Sequence, residues 1–172
     1  MKSISLIGMS GAGKTSTAIE LGHLRNDFVV VDTDELIVDR ENMTIPKIFA
    51  TFGEKYFRSV ENEVIKEVFA YSNRIVSLGG GAFENAENQQ IIKENSTVIY
   101  LKTTPETIFA RLNDKNDRPL LNENFSVEKI TEILALRDDN YQKSDIIIET
   151  DGKTPMQVAR EIKEVLKDEF HG

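Results

Sequence analysis

The chain has no cysteine, no tryptophan and two histidines among its 172 residues. Without cysteine there is no disulfide, no thiolate nucleophile and no thiolate metal site, and His23 and His171 alone cannot build a histidine cluster, so any metal is held by oxygen. No apolar run approaches the length of a membrane span, which argues against a membrane partner. Basic residues are outnumbered: 21 Lys and Arg against 29 Asp and Glu leave a formal net charge of −8. Nucleic-acid binding rests on Lys and Arg neutralising phosphates, so this balance argues against a nucleic-acid partner. A small anionic ligand needs only a local basic pocket, and the placement of the eight arginines then matters more than their total.

What is present suits one globular domain. At 172 residues, 40% apolar and 29% charged, the chain can bury a real core without staples, and a single domain over residues 1–172 is expected. Short apolar runs alternate with amphipathic stretches. The runs are Ile4 to Ile7, Phe28 to Val31 ending at Asp32, Arg74 to Leu78, Thr97 to Leu101, and Asp145 to Glu149. Between them, Phe57, Val60, Val64, Ile65, Val68 and Phe69 recur at helical spacing within Glu54 to Tyr71. Thr104-Pro105 and Thr154-Pro155 open further helices with proline at the first position. Five runs too uniformly apolar to have a wet face, separated by helices, predict a parallel sheet covered on both sides. Ligands of such sheets gather at the carboxyl ends of the strands.

The segment after the first run reads Gly8-Met9-Ser10-Gly11-Ala12-Gly13-Lys14-Thr15 and fits G-x-x-x-x-G-K-[ST] between a strand and a helix. Its glycines let successive N–H groups turn inward, Lys14 can reach β- and γ-phosphates, and the Thr15 hydroxyl suits Mg²⁺. The helix N-terminus adds partial positive charge. The chain is therefore expected to bind a nucleoside triphosphate. The apolar stretch after Met1-Lys2 runs straight into this loop, so cleaving it as a signal peptide would destroy the site, and a cytoplasmic location is expected.

After the second run come Asp32 and Asp34, spaced i, i+2 at a strand end. They either cap the helix beginning near Glu35 or place one carboxylate by Mg²⁺ and the other at an acceptor hydroxyl. Arg58 stands four residues after Glu54 and three before Glu61, a spacing that also suits a solvated ion pair. Gly79-Gly80-Gly81 weakens a fold unless something approaches the backbone closely, and a ligand is a good reason. Arg118-Pro119 lies in a polar segment that reads as a mobile loop.

Taken together, these features resemble shikimate kinase. The shared residues are the loop Gly8 to Thr15, Asp32 with Asp34, Phe52-Gly53-Glu54 with Phe57-Arg58 and Glu61, Gly79 to Gly81, Arg118-Pro119-Leu120-Leu121, and Arg137 four residues before Tyr141. They run nearly the whole chain in the family's order. Ser10 and Asp139 depart from the family's pattern. The resemblance implies a three-layer α/β/α fold with a five-stranded parallel sheet, a P-loop NTPase of the nucleoside-monophosphate-kinase type. A substrate-binding region would cover about residues 33 to 61 and a lid about 112 to 124.

It also implies that ATP phosphorylates the 3-hydroxyl of shikimate on the route to chorismate. In that casting Asp34 faces the attacking hydroxyl, Arg58 and Arg137 clamp the shikimate carboxylate, Gly80 and Gly81 contact the ring, and Glu61 holds Arg58. Gly11, Ala12, Gly13, Lys14, Thr15 and Ser16 wrap the phosphates. Thr15 binds Mg²⁺, with Asp32 reaching it through water, Arg118 covers the phosphates, and Arg111 with Lys153 flanks adenine. Planar guanidinium donors suit a carboxylate ligand, and phosphoryl transfer needs positioning more than a strong base. A monomer is expected. The competing readings are another small-metabolite kinase, such as a gluconate kinase, and a non-catalytic nucleotide-binding relative. The second would be marked by loss of Lys14, Asp34 or Arg118, and all three are present.

Overall fold

The computed structural model describes residues 1–114 and 126–169. Five strands, β1 (Ser3–Ile7), β2 (Val29–Asp32), β3 (Arg74–Ser77), β4 (Ser96–Lys102) and β5 (Ile146–Glu149), form one sheet in the order β2-β3-β1-β4-β5 with every pairing parallel. The helices are α1 (Lys14–Leu24), α2 (Thr33–Glu41), α3 (Ile45–Phe52), α4 (Glu54–Phe69), α5 (Ala86–Asn95), α6 (Pro105–Asn113), α7 (Val127–Tyr141) and α8 (Pro155–Glu169). A short 3₁₀ turn covers Ala82–Glu84. This is the expected three-layer α/β/α arrangement.

Side-chain alternation along the central strands feeds two separate cores. Ile4 and Leu6 of β1 and Ile99 and Leu101 of β4 face Leu21 of α1 and Val158, Ile162 and Leu166 of α8. Ile7, Val98 and Tyr100 point the other way, toward Val60, Val64 and Val68 of α4 and Ile92 of α5. The edge strands differ from the sequence expectation. Val29 and Val30 of β2 are 63% and 38% exposed, and Ile147 of β5 is 42% exposed. Their apolar runs reflect β-branched preference for extended backbone on a half-covered edge, not burial on two faces.

The register sets the carboxyl ends of the strands side by side. Leu6 of β1 and Asp32 of β2 both pair with Ser77, while Ile7 pairs with Tyr100. A third cluster of Met9, Ile108, Leu112 and Ile130 then fastens the loop after β1 to α6 and α7.

Candidate active site

Gly8 leaves β1 at φ +145°, and a Cβ there would lie 2.9 Å from the Leu101 carbonyl oxygen, so neither the dihedral nor the space admits a side chain. Gly13, left-handed at φ 88°, is the N-cap of α1 and offers no side-chain cap. The first amides of α1 are therefore left to a ligand, as an anion site requires. Lys14 is buried and its Nζ donates to the carbonyls of Gly8 at 2.6 Å and Met9 at 3.0 Å. Arg111 binds the outside of the same loop, donating to Gly11 O at 3.3 Å, Ala12 O at 3.2 Å and the Thr150 carbonyl at 3.2 Å. That contact fixes the loop to the end of β5. The expected partner of Arg111, Lys153, pairs with Glu161 at 2.6 Å.

Of the two roles the sequence left open for Asp32, the structure shows the cap, and its other oxygen turns to Thr15. Its Oδ1 caps α2 by accepting the amides of Asp34 at 2.9 Å and Glu35 at 3.1 Å. Its Oδ2 accepts the Thr15 hydroxyl at 2.6 Å. Helix α2 thus begins at Thr33, two residues before the expected start near Glu35. Ser77 at the end of β3, 3.3 Å from Thr15 Oγ1, joins this group of oxygens. Thr33 locks it from below: its hydroxyl donates to Ser77 O at 3.4 Å and accepts the Gly79 amide at 3.1 Å. The sequence reading passed over Ser77 and Thr33. Their only signal was position, each being a small hydroxyl residue at or just beyond a strand end.

The three glycines are explained by side chains of the protein itself. None of the three has a left-handed φ, so space and not dihedral freedom is what they provide. A Cβ at Gly79 would meet Asp34 Oδ1 at 2.7 Å and Glu61 Oε2 at 3.1 Å; one at Gly80 would meet Arg137 Nη1 at 3.1 Å; one at Gly81 would meet Arg58 Nη2 at 2.6 Å. Asp34, Glu61, Arg58 and Arg137, brought from α2, α4 and α7, therefore converge on one backbone segment. Ser10 arrives from the phosphate loop, with its amide 3.4 Å from the same point at Gly80.

Within this cluster Arg58 is shared between Glu61 at 2.8 Å and the exposed Glu54 at 3.6 Å. Glu61 is 1% exposed, and its Oε2 has no hydrogen-bond partner among the described residues. Burial pushes its carboxyl above the usual range, and Asp34 adds to the effect, while Arg58 and Arg137 oppose it. Tyr141 steadies the far side, donating to Gly80 O at 2.7 Å. Burial also raises the Tyr141 phenol, against the charge of Arg137 and a hydrogen bond to it.

A cavity of about 670 Å³ joins the phosphate loop to these groups, running from Asp34 and Gly80 at one end to Arg111, Lys153 and Pro155 at the other. Gly11, Ala12, Gly13, Lys14, Thr15, Ser16 and Asp32 line it, whereas Arg58, Gly81 and Arg137 are outside its lining. Arg118 lies outside the described residues, as does the expected lid beyond Asp114. The arrangement can hold a polyphosphate beside a cationic carboxylate clamp, with one carboxylate between the two.

A family model described as shikimate kinase matches residues 10–167. A shikimate kinase of Persephonella marina is 40% identical over 162 residues, covering 94% of this chain and 97% of its own. Among solved structures, the shikimate kinase from Acinetobacter baumannii in complex with shikimate superimposes with a TM-score of 0.92 at 30% identity, covering 98% of this chain and 94% of that one. The shikimate kinase of Aquifex aeolicus gives 0.82 at 33% identity, with 96% of each chain covered.

Proposed function

The chain belongs to the shikimate kinase family, an ATP-dependent kinase of shikimate, and on that premise we propose how its residues divide the reaction. The carrying observation is the convergence of Asp34, Arg58 and Arg137 on Gly79–Gly81, a segment whose Gly80 lines the phosphate-loop cavity together with Asp34. The family match favours this reading over a gluconate kinase or a silent nucleotide-binding relative.

Gly11, Ala12, Gly13, Lys14, Thr15 and Ser16 hold the ATP phosphates through loop amides, the Lys14 ammonium and the positive end of α1. Arg58 and Arg137 take the shikimate carboxylate as planar forks, against Gly80 and Gly81. This sets the 3-hydroxyl toward Asp34, which orients it and accepts its proton as the γ-phosphoryl moves across. The transition state is loose, so the gain comes from alignment and charge neutralisation, and an ordinary aspartate suffices. Arg111 holds the loop and, with Lys153, borders the space for adenine. Arg118 is cast over the phosphates from the sequence alone.

Magnesium fits the oxygen pair of Thr15 Oγ1 and Asp32 Oδ2, which stand 2.6 Å apart, with Asp32 reaching the ion through water. Among the described residues no group of three or more His, Cys, Asp or Glu side chains is set to hold a metal. Held at the oxygen pair, the ion would supply positive charge that offsets the charge of the phosphates. Among the described residues no helix is long and apolar enough to cross a membrane. A cytoplasmic monomer that folds as one domain is our reading of the sequence.

A coupled assay of ADP release with shikimate, gluconate and no acceptor tests the assignment; a higher kcat/KM for gluconate would reject it. Asp34→Asn should lower kcat by about two to four orders of magnitude with ATP affinity nearly intact. Arg58→Lys and Arg137→Lys should chiefly raise the KM for shikimate, since a point charge cannot replace a fork. Near-normal turnover by Asp34→Asn would remove it from the mechanism.

A further inference from the structure

The roles above use only one oxygen of Glu61. Oε1 accepts from Arg58 at 2.8 Å, while Oε2 is sealed from solvent and has no hydrogen-bond partner among the described residues. A buried acceptor without a donor is costly and rare. Another carboxylate is near: Oε2 and Asp34 Oδ1 lie 3.1 and 2.7 Å from the position a Gly79 side chain would take, and the charge of Asp34 acts on Glu61. Two ionised carboxylates this near to one glycine, one of them buried, repel, and one proton between them would replace the repulsion with a hydrogen bond.

The surroundings decide which of the two carries the proton. Asp34 lines the open cavity, whereas Glu61 is 1% exposed. The charged groups acting on Glu61 are Arg58 on its own helix, Asp34 from α2 and Arg137 from α7. Burial outweighs the two cations and pushes the Glu61 carboxyl up.

We propose that Glu61 is a neutral carboxylic acid in the working protein, donating Oε2–H across Gly79 to Asp34 Oδ1, and that this bond makes it the positioning residue that aims Asp34 at the acceptor hydroxyl. The inference rests on the reading of Asp34 given above. The proton stays between the two carboxyls through turnover; the hydroxyl proton goes to Asp34, and Glu61 is neither consumed nor regenerated. Arrival of the substrate carboxylate offsets the charge of Arg58 and Arg137, removing what favours ionised Glu61. Binding therefore tightens the proton where it is needed. As pH rises through the raised pKa of Glu61, its ionised form pushes Asp34 away and kcat falls.

Infrared difference spectra between the wild type and Glu61→Gln, taken without substrate, read the proton directly. A protonated-carboxyl band at neutral pH that vanishes in the variant is expected, and its absence overturns the proposal. In kinetics, Glu61→Gln keeps an N–H donor toward Asp34, so kcat at neutral pH should fall by no more than about tenfold and the loss at higher pH should disappear. Glu61→Ala, with no donor, should lose about a hundredfold in kcat. If Glu61 is instead an ionised counter-charge for Arg58, Glu61→Gln will raise the KM for shikimate and leave the pH profile of kcat in place. Because the spectra involve no turnover, an active Asp34→Asn enzyme that still shows the band would reject the role of Asp34 and not the proton on Glu61.

Discussion

A methyl group is the smallest probe of this site, and Gly79 is where it would act most selectively. An alanine Cβ there would press on Asp34 Oδ1 at 2.7 Å and Glu61 Oε2 at 3.1 Å. Both belong to side chains anchored on helices, so the carboxylates must move. A displacement near 1 Å can cost about a hundredfold in rate. Gly79→Ala should therefore lower kcat by about that factor and change the KM for ATP by less than about threefold, as steady-state kinetics with each substrate varied would measure. Equal kcat in the two proteins would mean that the close approach has no part in turnover. Tyr100 gives a second residue-scale expectation, this time in stability. It is 2% exposed, and burial, helped by Tyr141 and Asp138, pushes its phenol up to about 12 from 10.0. The folded state keeps this proton where the unfolded chain has released it, so its contribution is complete below pH 10 and is lost as pH rises toward about 12. Over that interval the wild type should lose stability that Tyr100→Phe retains, as denaturant melts at several pH values would reveal. Parallel losses in both proteins would contradict the shift.

Helices α1 and α8 carry the outer face of the sheet, and their packing is an element-scale matter. Ile162, fully buried among Leu21, Val158 and Leu166, is not one of the residues lining the cavity. Ile162→Ala should cost about 2–5 kcal/mol of folding stability through lost burial and the cavity left behind. The kcat of the folded fraction should change less than about twofold; a large drop in kcat with unchanged stability would show that α8 acts on the site directly. The elements most legible in the sequence were of this type. Continuous Val and Ile runs placed all five strands to within a residue or two, and Thr104 caps α6 as its Thr-Pro signal predicts. Helix α4 ends at Phe69 where Tyr71 was expected, because the apolar spacing stops there. Helices α3 and α5 were not read: one is only eight residues long, too short for its periodicity to stand out, and the other's ten residues are mostly polar. The site was legible as a set of residues and not as a mechanism. The triple glycine could be seen to need a close neighbour, but only the crossing of α2, α4 and α7 over β3 shows that the neighbours are Asp34, Glu61, Arg58 and Arg137. Asp32 likewise looked like a choice between cap and metal neighbour, since nothing in a linear pattern says that its two oxygens face different partners.

At the scale of the whole molecule, the site belongs to no single element. The phosphate loop leaves the middle strand β1, Asp34 comes from α2 beside the sheet's edge, Arg58 from α4, Arg137 from α7, and Lys153 precedes α8. Ligands at such a crossing tie together segments from residue 8 to residue 153, and any ligand that binds only the folded state stabilises it by mass action. At a hundred times Kd the gain is about 2.7 kcal/mol, which for a chain of this size is a rise in Tm of about 5–10 °C. On the proposed roles the two substrates should act separately, because their charged ends would meet different groups: phosphates the loop and α1, carboxylate Arg58 and Arg137. In Arg58→Ala the shift produced by shikimate should all but vanish, while that produced by a non-hydrolysable ATP analogue with Mg²⁺ should persist. Scanning calorimetry of both proteins with each ligand alone and with the two together measures this. Since the chain carries a net charge of −8, neither anion is drawn in by the general field, and the contrast isolates the local basic groups. Loss of both shifts in Arg58→Ala would mean that one cationic region serves both ligands; loss of neither would place the carboxylate elsewhere than on Arg58.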